Sequence, residues 1–343
     1  MLVTVYAAHE LNRLGLDCNK SYFLFCGSFG DKWLVASFMY EMLSRLPNSM
    51  IISDKADISL PRIFVGDQLP RVLTCEANLV EYLRNLCRED QACYMPCNSQ
   101  LSSEGSILCT PGLRSLHIVD YPYFIHLSAR CCARYIDMLR LICFLPINTV
   151  PSQPLHLGET ELSDAIELLS STGENINKLI IYNIVNYSHK NLTTNQQRVL
   201  IESIFQSGFQ PIINISGLDA SPIKDIKGAF ESIAAISISG HLVKSVFDLV
   251  PAVIGVIGGA ISIADTFSDC SLLTFATNSN FFPGYSSSLK RNINFLEYED
   301  FKAEPRPDKP RIVRYINLPD HEDIPPATIK SHVDDFLNQI SLL

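Results

Sequence analysis

Short, wholly apolar runs alternate with stretches of helical spacing along this chain, in two series separated by a proline-bearing joint. That alternation narrows the choice of folds more than any other feature. A strand with no polar face must be covered on both sides, and helices that follow strands one by one demand parallel sheets. In the first series, residues 22–26 (YFLFC) form an apolar run that ends at Gly27-Ser28-Phe29-Gly30-Asp31. Trp33, Leu34, Phe38, Met42 and Leu46 then recur at helical spacing until Pro47, so the spacing predicts strand, glycine turn, helix. Residues 49–52, 62–65 and 115–119 read as further strands, and 79–87 as an amphipathic stretch with Leu79, Tyr82, Leu83 and Leu86 on one stripe. Residues 135–145 read as an apolar helix closed by Pro146.

Residues 148–157 carry Pro151 and Pro154 with no apolar period and read as a linker. Beyond it the alternation resumes. Helices are expected at 161–169, 194–206 (stopped by Gly208) and 243–249, and strands at 178–182, 210–215, 253–256 and 271–275. Pro325-Pro326 opens a last helix, 328–342, with Ile329, Val333, Phe336, Leu337 and Ile340 on one stripe. The expected fold class is therefore α/β, with two domains facing each other across a cleft where the carboxyl ends of the strands meet a ligand. Expected boundaries are 1–150, 151–324, and a C-terminal helix, 325–343, that packs back towards the first domain.

A chain of 343 residues that is 47% apolar and 18% charged is neither a disordered tail nor a coiled coil. Its net charge of −9 argues against non-specific nucleic-acid binding, which rests on neutralising phosphates. The most apolar run, 249–264, is about 16 residues long and contains Gly255, Gly258 and Gly259, short of the roughly 20 residues of a spanning helix. The amino-terminal residues lack a basic region before an apolar stretch, so no signal peptide is expected. Eleven cysteines, an odd count, fit reduced thiols and a cytoplasmic location.

Three segments can carry chemistry. In Gly27–Asp31, glycines after a strand permit a tight turn, and a helix start aims N–H groups at an anion. Asp31 there can accept a proton from an attacking sugar hydroxyl, or can simply cap the helix. The second segment, residues 182–191 (YNIVNYSHKN), follows a buried strand. Its His189 and Lys190 can meet a diphosphate, or the segment is an ordinary polar loop. In the third, residues 254–264 (IGVIGGAISIA), Gly258-Gly259 lets a ligand approach the backbone, and Ser262 lies in the first turns of the helix. Close helix-to-strand packing needs the same small residues.

Taken in order, these segments resemble the bacterial heptosyltransferases, glycosyltransferase family nine, whose fold is two Rossmann-like domains in the GT-B arrangement. Members open with a strand, a turn ending in Gly-Asp and a helix, as do Phe25 to Phe38 with Gly30-Asp31. His126, Arg134-Tyr135 and Pro146 are similar to the family stretch before the linker, and Lys190, Gly208 and residues 209–213 match its second domain in placement. The family signature Asn-Asp-Ser-Gly-Pro-x-His-Leu-Ala aligns its Gly with Gly259 and its Leu-Ala with Ile263-Ala264, while its Asp falls on Ile257 and its His on Ser262.

The resemblance implies a metal-independent, inverting transfer of a hexosyl- or heptosyl-type sugar from a nucleotide-sugar donor to a glycan, lipopolysaccharide-type (lipid-linked) or protein acceptor, with no cofactor. It implies Asp31 as general base and Lys190, His189, Gly258, Gly259 and Ser262 on the donor side. Gly30, Ser28 and His126 fall on the acceptor side. The missing Asp and His leave room for an alternative, a catalytically inactive relative that serves binding or assembly.

Cys87, Cys93, Cys97 and Cys109 lie within one stretch without Cys-x-x-Cys pairs, and core or loop thiols are expected over a metal site. His117, inside an apolar strand, and His241, before a helix, read as structural. Trp33 and Phe29 beside Asp31 read as packing residues.

Overall fold

The computed structural model describes residues 14, 20–26, 29–81, 115–119, 140, 143–146, 148–149, 152, 159–184, 192–216, 233–256, 258–277, 310–318 and 324–343. The chain divides into two compact units, Met1–His156 and Leu157–Leu343.

In the first unit, β1 (Ser21–Phe25) feeds α1 (Phe29–Arg45), followed by β2 (Ser49–Asp54), α2 (Ser59–Val65), β3 (Val72–Cys75) and β4 (Ser115–Val119). The four strands are all parallel, in the order β3-β2-β1-β4. α1 forms because Trp33, Leu34, Phe38, Met39, Met42 and Leu43 make a continuous apolar face, and all of them are buried. It stops at Pro47, which cannot extend a helix. The Arg71 guanidinium then closes its carboxyl end, donating to the carbonyls of Leu43 (2.6 Å) and Leu46, and to that of Ser49 at the start of β2 (2.6 Å). A cation at that end also complements the helix dipole.

The expected strand at 62–65 is a helix. Arg62 N–H donates to Ile58 C=O at 3.2 Å, and Leu60, Ile63, Phe64 and Val65 are all buried, so the run has no period that separates strand from helix. Pro61 is its third residue, where the missing N–H costs nothing. Gly66, at φ 52°, ends it in a left-handed conformation that suits glycine. The reward for helix is visible in Phe64, whose ring meets Trp33 of α1 edge-on at 5.5 Å.

In the second unit, α3 (Glu159–Ser170), β5 (Leu179–Asn183), α4 (Thr194–Gln206), β6 (Gln210–Asn214), β7 (Ala234–Ile236), α5 (Val243–Leu249), β8 (Ala252–Val256), α6 (Gly259–Phe267), β9 (Ser271–Thr277), β10 (Val313–Leu318) and α7 (Pro326–Ile340) follow in sequence. The six strands are parallel, in the order β10-β9-β8-β5-β6-β7. β7 and β10 had no counterpart in the sequence reading.

Alternate residues of these strands face opposite ways. Ile180, Tyr182, Ile213, Ile254, Leu273 and Phe275 join a core with Leu200, Ile201 and Ile204 of α4 and Ile329, Val333, Phe336, Leu337 and Ile340 of α7. The stripe expected on the C-terminal helix is thus buried within this unit. A capping box at Thr193–Gln196 starts α4, and Gln196 Nε2 also donates to Ile324 C=O at 2.9 Å, fastening the approach to α7. α4 ends at Gly208, where φ is 80°.

Candidate functional site

In the second unit, chain order β5, β6, β7 runs outward to one side of β5, and β8, β9, β10 run outward to the other. Numbered from β5, this is the dinucleotide-fold order 3-2-1-4-5-6, and its direction reverses between β5 and β8. In open parallel sheets such a reversal point is where ligands bind, outside the carboxyl ends of the two strands. β1 and β4 form the corresponding reversal in the first unit. Two of the three segments singled out in the sequence leave β5 and β8, and the third leaves β1.

At the end of β8 the register sets Gly255 beside Asn183, the last residue of β5. A Cβ on Gly255 would lie 2.9 Å from Asn183 Cβ and 3.1 Å from Ile261 Cδ1, so the absence of a side chain here is a packing requirement. Gly258 has φ 173° and ψ −177°, extended backbone open to any residue. Gly258 is the N-cap of α6 and has no side chain with which to cap it. The first N–H groups of the helix point towards the carboxyl edge of the sheet by helix geometry.

The opposite end of α6 is clamped. Arg311 donates to the carbonyls of Ser268 (2.6 Å) and Asp265 (3.0 Å) and lies 3.3 Å from the Asp265 carboxylate, which also accepts from Tyr315 Oη. Arg311 complements the negative pole at the carboxyl end, while the amino end, with no side-chain cap, favours negative charge near it.

A chain of hydrogen bonds crosses the carboxyl edge of the sheet. Asn214 Nδ2 donates to Asn183 Oδ1 at 2.8 Å, Ser216 donates to Asn214 Oδ1 through N (3.1 Å) and Oγ (2.7 Å), and Ile238 N–H donates to Ser216 Oγ at 2.7 Å. Asn183 is 7% exposed, and its Nδ2 is buried with no hydrogen-bond partner, an arrangement that costs roughly 1–3 kcal/mol. The sequence reading missed Asn183, Asn214 and Ser216. Their signal is that two buried strands, LIIYN and QPIIN, both end on Asn.

Among the expected site residues, Gly258 and Gly259 stand at the amino end of α6, and Ser262 is its fourth residue. Gly30 lies inside α1 and is buried, so the helix starts earlier than the expected turn allowed. Asp31 is the third residue of α1, within its first turn and not at the N-cap. Its neighbour Lys32 is 2.5 Å from Asp57, in the 3-10 turn Lys55–Asp57 that follows β2. Ser28, His126, His189, Lys190, Ile257 and the group Cys87, Cys93, Cys97 and Cys109 lie outside the described residues. Among the described residues no three His, Cys, Asp or Glu are grouped to hold a metal ion, and no helix is long and apolar enough to cross a membrane.

Trp33 is fully buried, as expected for packing. His241 sits in the 3-10 turn Gly240–Leu242, with its Nδ1 3.3 Å from Ser239 Oγ.

No protein-family model matches this chain, and no curated protein matches it. Solved structures do. The E. coli ADP-heptose LPS heptosyltransferase II is similar at 14% identity, covering 94% of this chain and 99% of that one, with a TM-score of 0.56. A glycosyl transferase family 9 protein from Veillonella parvula DSM 2008 is similar at 14% identity, covering 95% of this chain and 98% of that one, with a TM-score of 0.55. The E. coli heptosyltransferase WaaC with ADP is similar at 12% identity, covering 92% and 99%, with a TM-score of 0.51. The two parallel sheets match the GT-B glycosyltransferase fold, and the structural similarity to family 9 heptosyltransferases runs over nearly the full length of the chain at low sequence identity.

Proposed function

We propose that the chain is a metal-independent, inverting glycosyltransferase that moves a sugar from a nucleotide-sugar donor to a glycan, lipid-linked or protein acceptor. The observation that carries this reading is the reversal of strand order between β5 and β8, with the amino end of α6 following β8. Such a reversal is where open parallel sheets hold nucleotides, and a helix amino end suits a diphosphate.

In this reading Asp31 takes the proton of the acceptor hydroxyl as its oxygen attacks the anomeric carbon, and the nucleoside diphosphate leaves from the opposite face. Lys190, His189, Gly258, Gly259 and Ser262 serve the donor, with Lys190 and the helix end offsetting the charge of the departing diphosphate. Ser28, Gly30 and His126 serve the acceptor. The test is sugar transfer by wild type and Asp31→Ala on a panel of nucleotide sugars. Transfer by wild type and its loss in a folded Asp31→Ala supports the reading, and an active Asp31→Ala removes Asp31 from the role of base.

A second reading, an inactive relative kept for binding or assembly, rests on Ile257 and Ser262 standing where the family signature has Asp and His. Thermal shift against nucleoside diphosphates separates the two, because a ligand bound only by the folded state must raise the melting temperature. Stabilisation by none of them favours the second.

A further inference from the structure

We propose that Asn183 is a phosphate-binding residue, its Nδ2 donating to a phosphoryl oxygen held at the amino end of α6. The inference rests on the nucleotide-donor reading above and deepens it by naming the side chain that meets the anion.

Three observations converge on Asn183. It ends β5 at the point where strand order reverses, the position at which open parallel sheets hold their ligands. Its Cβ and Ile261 Cδ1 both press on Gly255, which sets its side chain on the face of the sheet that carries α6, next to the first turn of that helix. Its amide is also held in one orientation: Oδ1 accepts from Asn214 Nδ2, and Asn214 Oδ1 is in turn fixed by two bonds from Ser216. Nδ2 is therefore turned away from Asn214, buried, with no partner.

A buried donor without an acceptor is rare in folded proteins, and one locked by a neighbouring network cannot rotate to find a partner elsewhere. A structural role alone does not account for it. The Oδ1–Asn214 bond uses only the acceptor of the amide and leaves the donor without a role. An anion seated at the α6 amino end supplies the acceptor, and a hydrogen bond to a charged oxygen is the stronger kind.

The experiment measures binding of ADP, UDP, GDP and CDP, of their nucleosides and of inorganic pyrophosphate to wild type and Asn183→Asp by calorimetry, with melting temperatures alongside. Asn183→Asp keeps the acceptor for Asn214 and removes the donor but adds a negative charge that repels any nearby anion. Asn183→Ala, which adds none, is therefore measured beside it and must show the same loss. The expected result is a loss of at least about tenfold in affinity for the preferred diphosphate and for pyrophosphate, with the nucleoside within about twofold.

Diphosphate and pyrophosphate affinities within about twofold of wild type in either folded variant overturn the inference and leave the nucleotide-donor reading intact. Wild type that binds pyrophosphate but no nucleotide, with pyrophosphate lost in both variants, upholds the anion contact and removes the nucleotide donor. Wild type that binds neither overturns both. Should Asn183→Asp fail to fold, Asn183→Ala decides alone, judged by the same ratio of diphosphate to nucleoside affinity.

Discussion

The Lys32 ammonium lies 2.5 Å from the Asp57 carboxylate, joining the first turn of α1 to the turn that follows β2. Both side chains are mostly shielded, at 20% and 27% exposure, so the pair is screened less than one in open solvent. Asp54 caps the same turn, accepting from Ala56 N–H at 2.9 Å, so Asp57 is offered from a fixed backbone. Two elements at the carboxyl edge of the first sheet are thereby held together next to Asp31.

Breaking this pair has a stated size. Lys32→Met and Asp57→Asn are each expected to lower stability by about 1 kcal/mol, with a coupling of about 0.5–1 kcal/mol between them. Urea unfolding of wild type, both single variants and the double variant measures that coupling. A coupling near zero would show that the contact does not hold α1 in place.

Glycines at 208 and 255 separate two kinds of requirement. At Gly208, φ is 80° and nothing lies within 4 Å of an added Cβ, so Gly208→Ala meets backbone strain alone and costs about 1 kcal/mol. At Gly255 an added Cβ meets Asn183 Cβ at 2.9 Å and Ile261 Cδ1 at 3.1 Å, and backbone is among the near atoms. Gly255→Ala is expected to cost about 1–3 kcal/mol by overpacking. It also displaces Asn183 or α6, so under the proposed donor role it is expected to weaken diphosphate binding, with Gly208→Ala unchanged. Denaturation and calorimetry on the two variants check the contrast.

The parts of the fold that could be read along the sequence are those whose signal is local. β1, β5 and β8 are apolar runs cut off by polar or glycine-bearing stretches, and α1, α4 and α7 carry complete stripes. β10 escaped because an edge strand that carries Arg314 and Asn317, and is half-buried over 313–316, shows no apolar run. β7 is three residues long, too short for any period. α2 reads as a strand in the sequence because its apolar residues are buried whichever way it winds. The glycines at 258 and 259 are visible in the sequence as a turn before a helix, but Asn183 is not. Asn183 reads locally as the first polar residue of a loop, and only the pairing of β5 with both β6 and β8 reveals it as a buried group with an unused donor.

Tyr182 offers a stability test on the core side of the same strand. Its side chain is fully buried among apolar residues of α4 and α7, and its hydroxyl has no hydrogen-bond partner. Burial also pushes its phenol well above the ordinary range, so it stays neutral. Tyr182→Phe removes an unpaired polar atom while keeping the ring, and the expected outcome is a neutral to stabilising change of up to about 1 kcal/mol. A loss of more than about 1 kcal/mol in urea unfolding would mean that the hydroxyl is held by something other than these neighbours.

Two thiols give the molecule an alkaline limit. Burial pushes Cys143 and Cys270 up to about 12. For Cys270, the hydrogen bond with Ser268 opposes this, the Asp248 carboxylate reinforces it and Arg311 opposes it. In the unfolded chain the same thiols have their ordinary value of 9.0. Between about pH 9 and 12 the folded state therefore keeps protons that the unfolded state has released, and unfolding gains from every rise in pH. Their contribution is fully present below about pH 9 and is lost as the pH climbs towards 12, with a slope that approaches about 1.4 kcal/mol per pH unit for each thiol. Urea midpoints measured from pH 8 to 10.5 are expected to fall less steeply in Cys143→Ala/Cys270→Ala than in wild type. At pH 8, iodoacetamide is expected to alkylate both positions only once denaturant has opened the fold, which peptide mapping reads site by site. Alkylation of either thiol in the folded protein would show that the segment covering it opens without global unfolding.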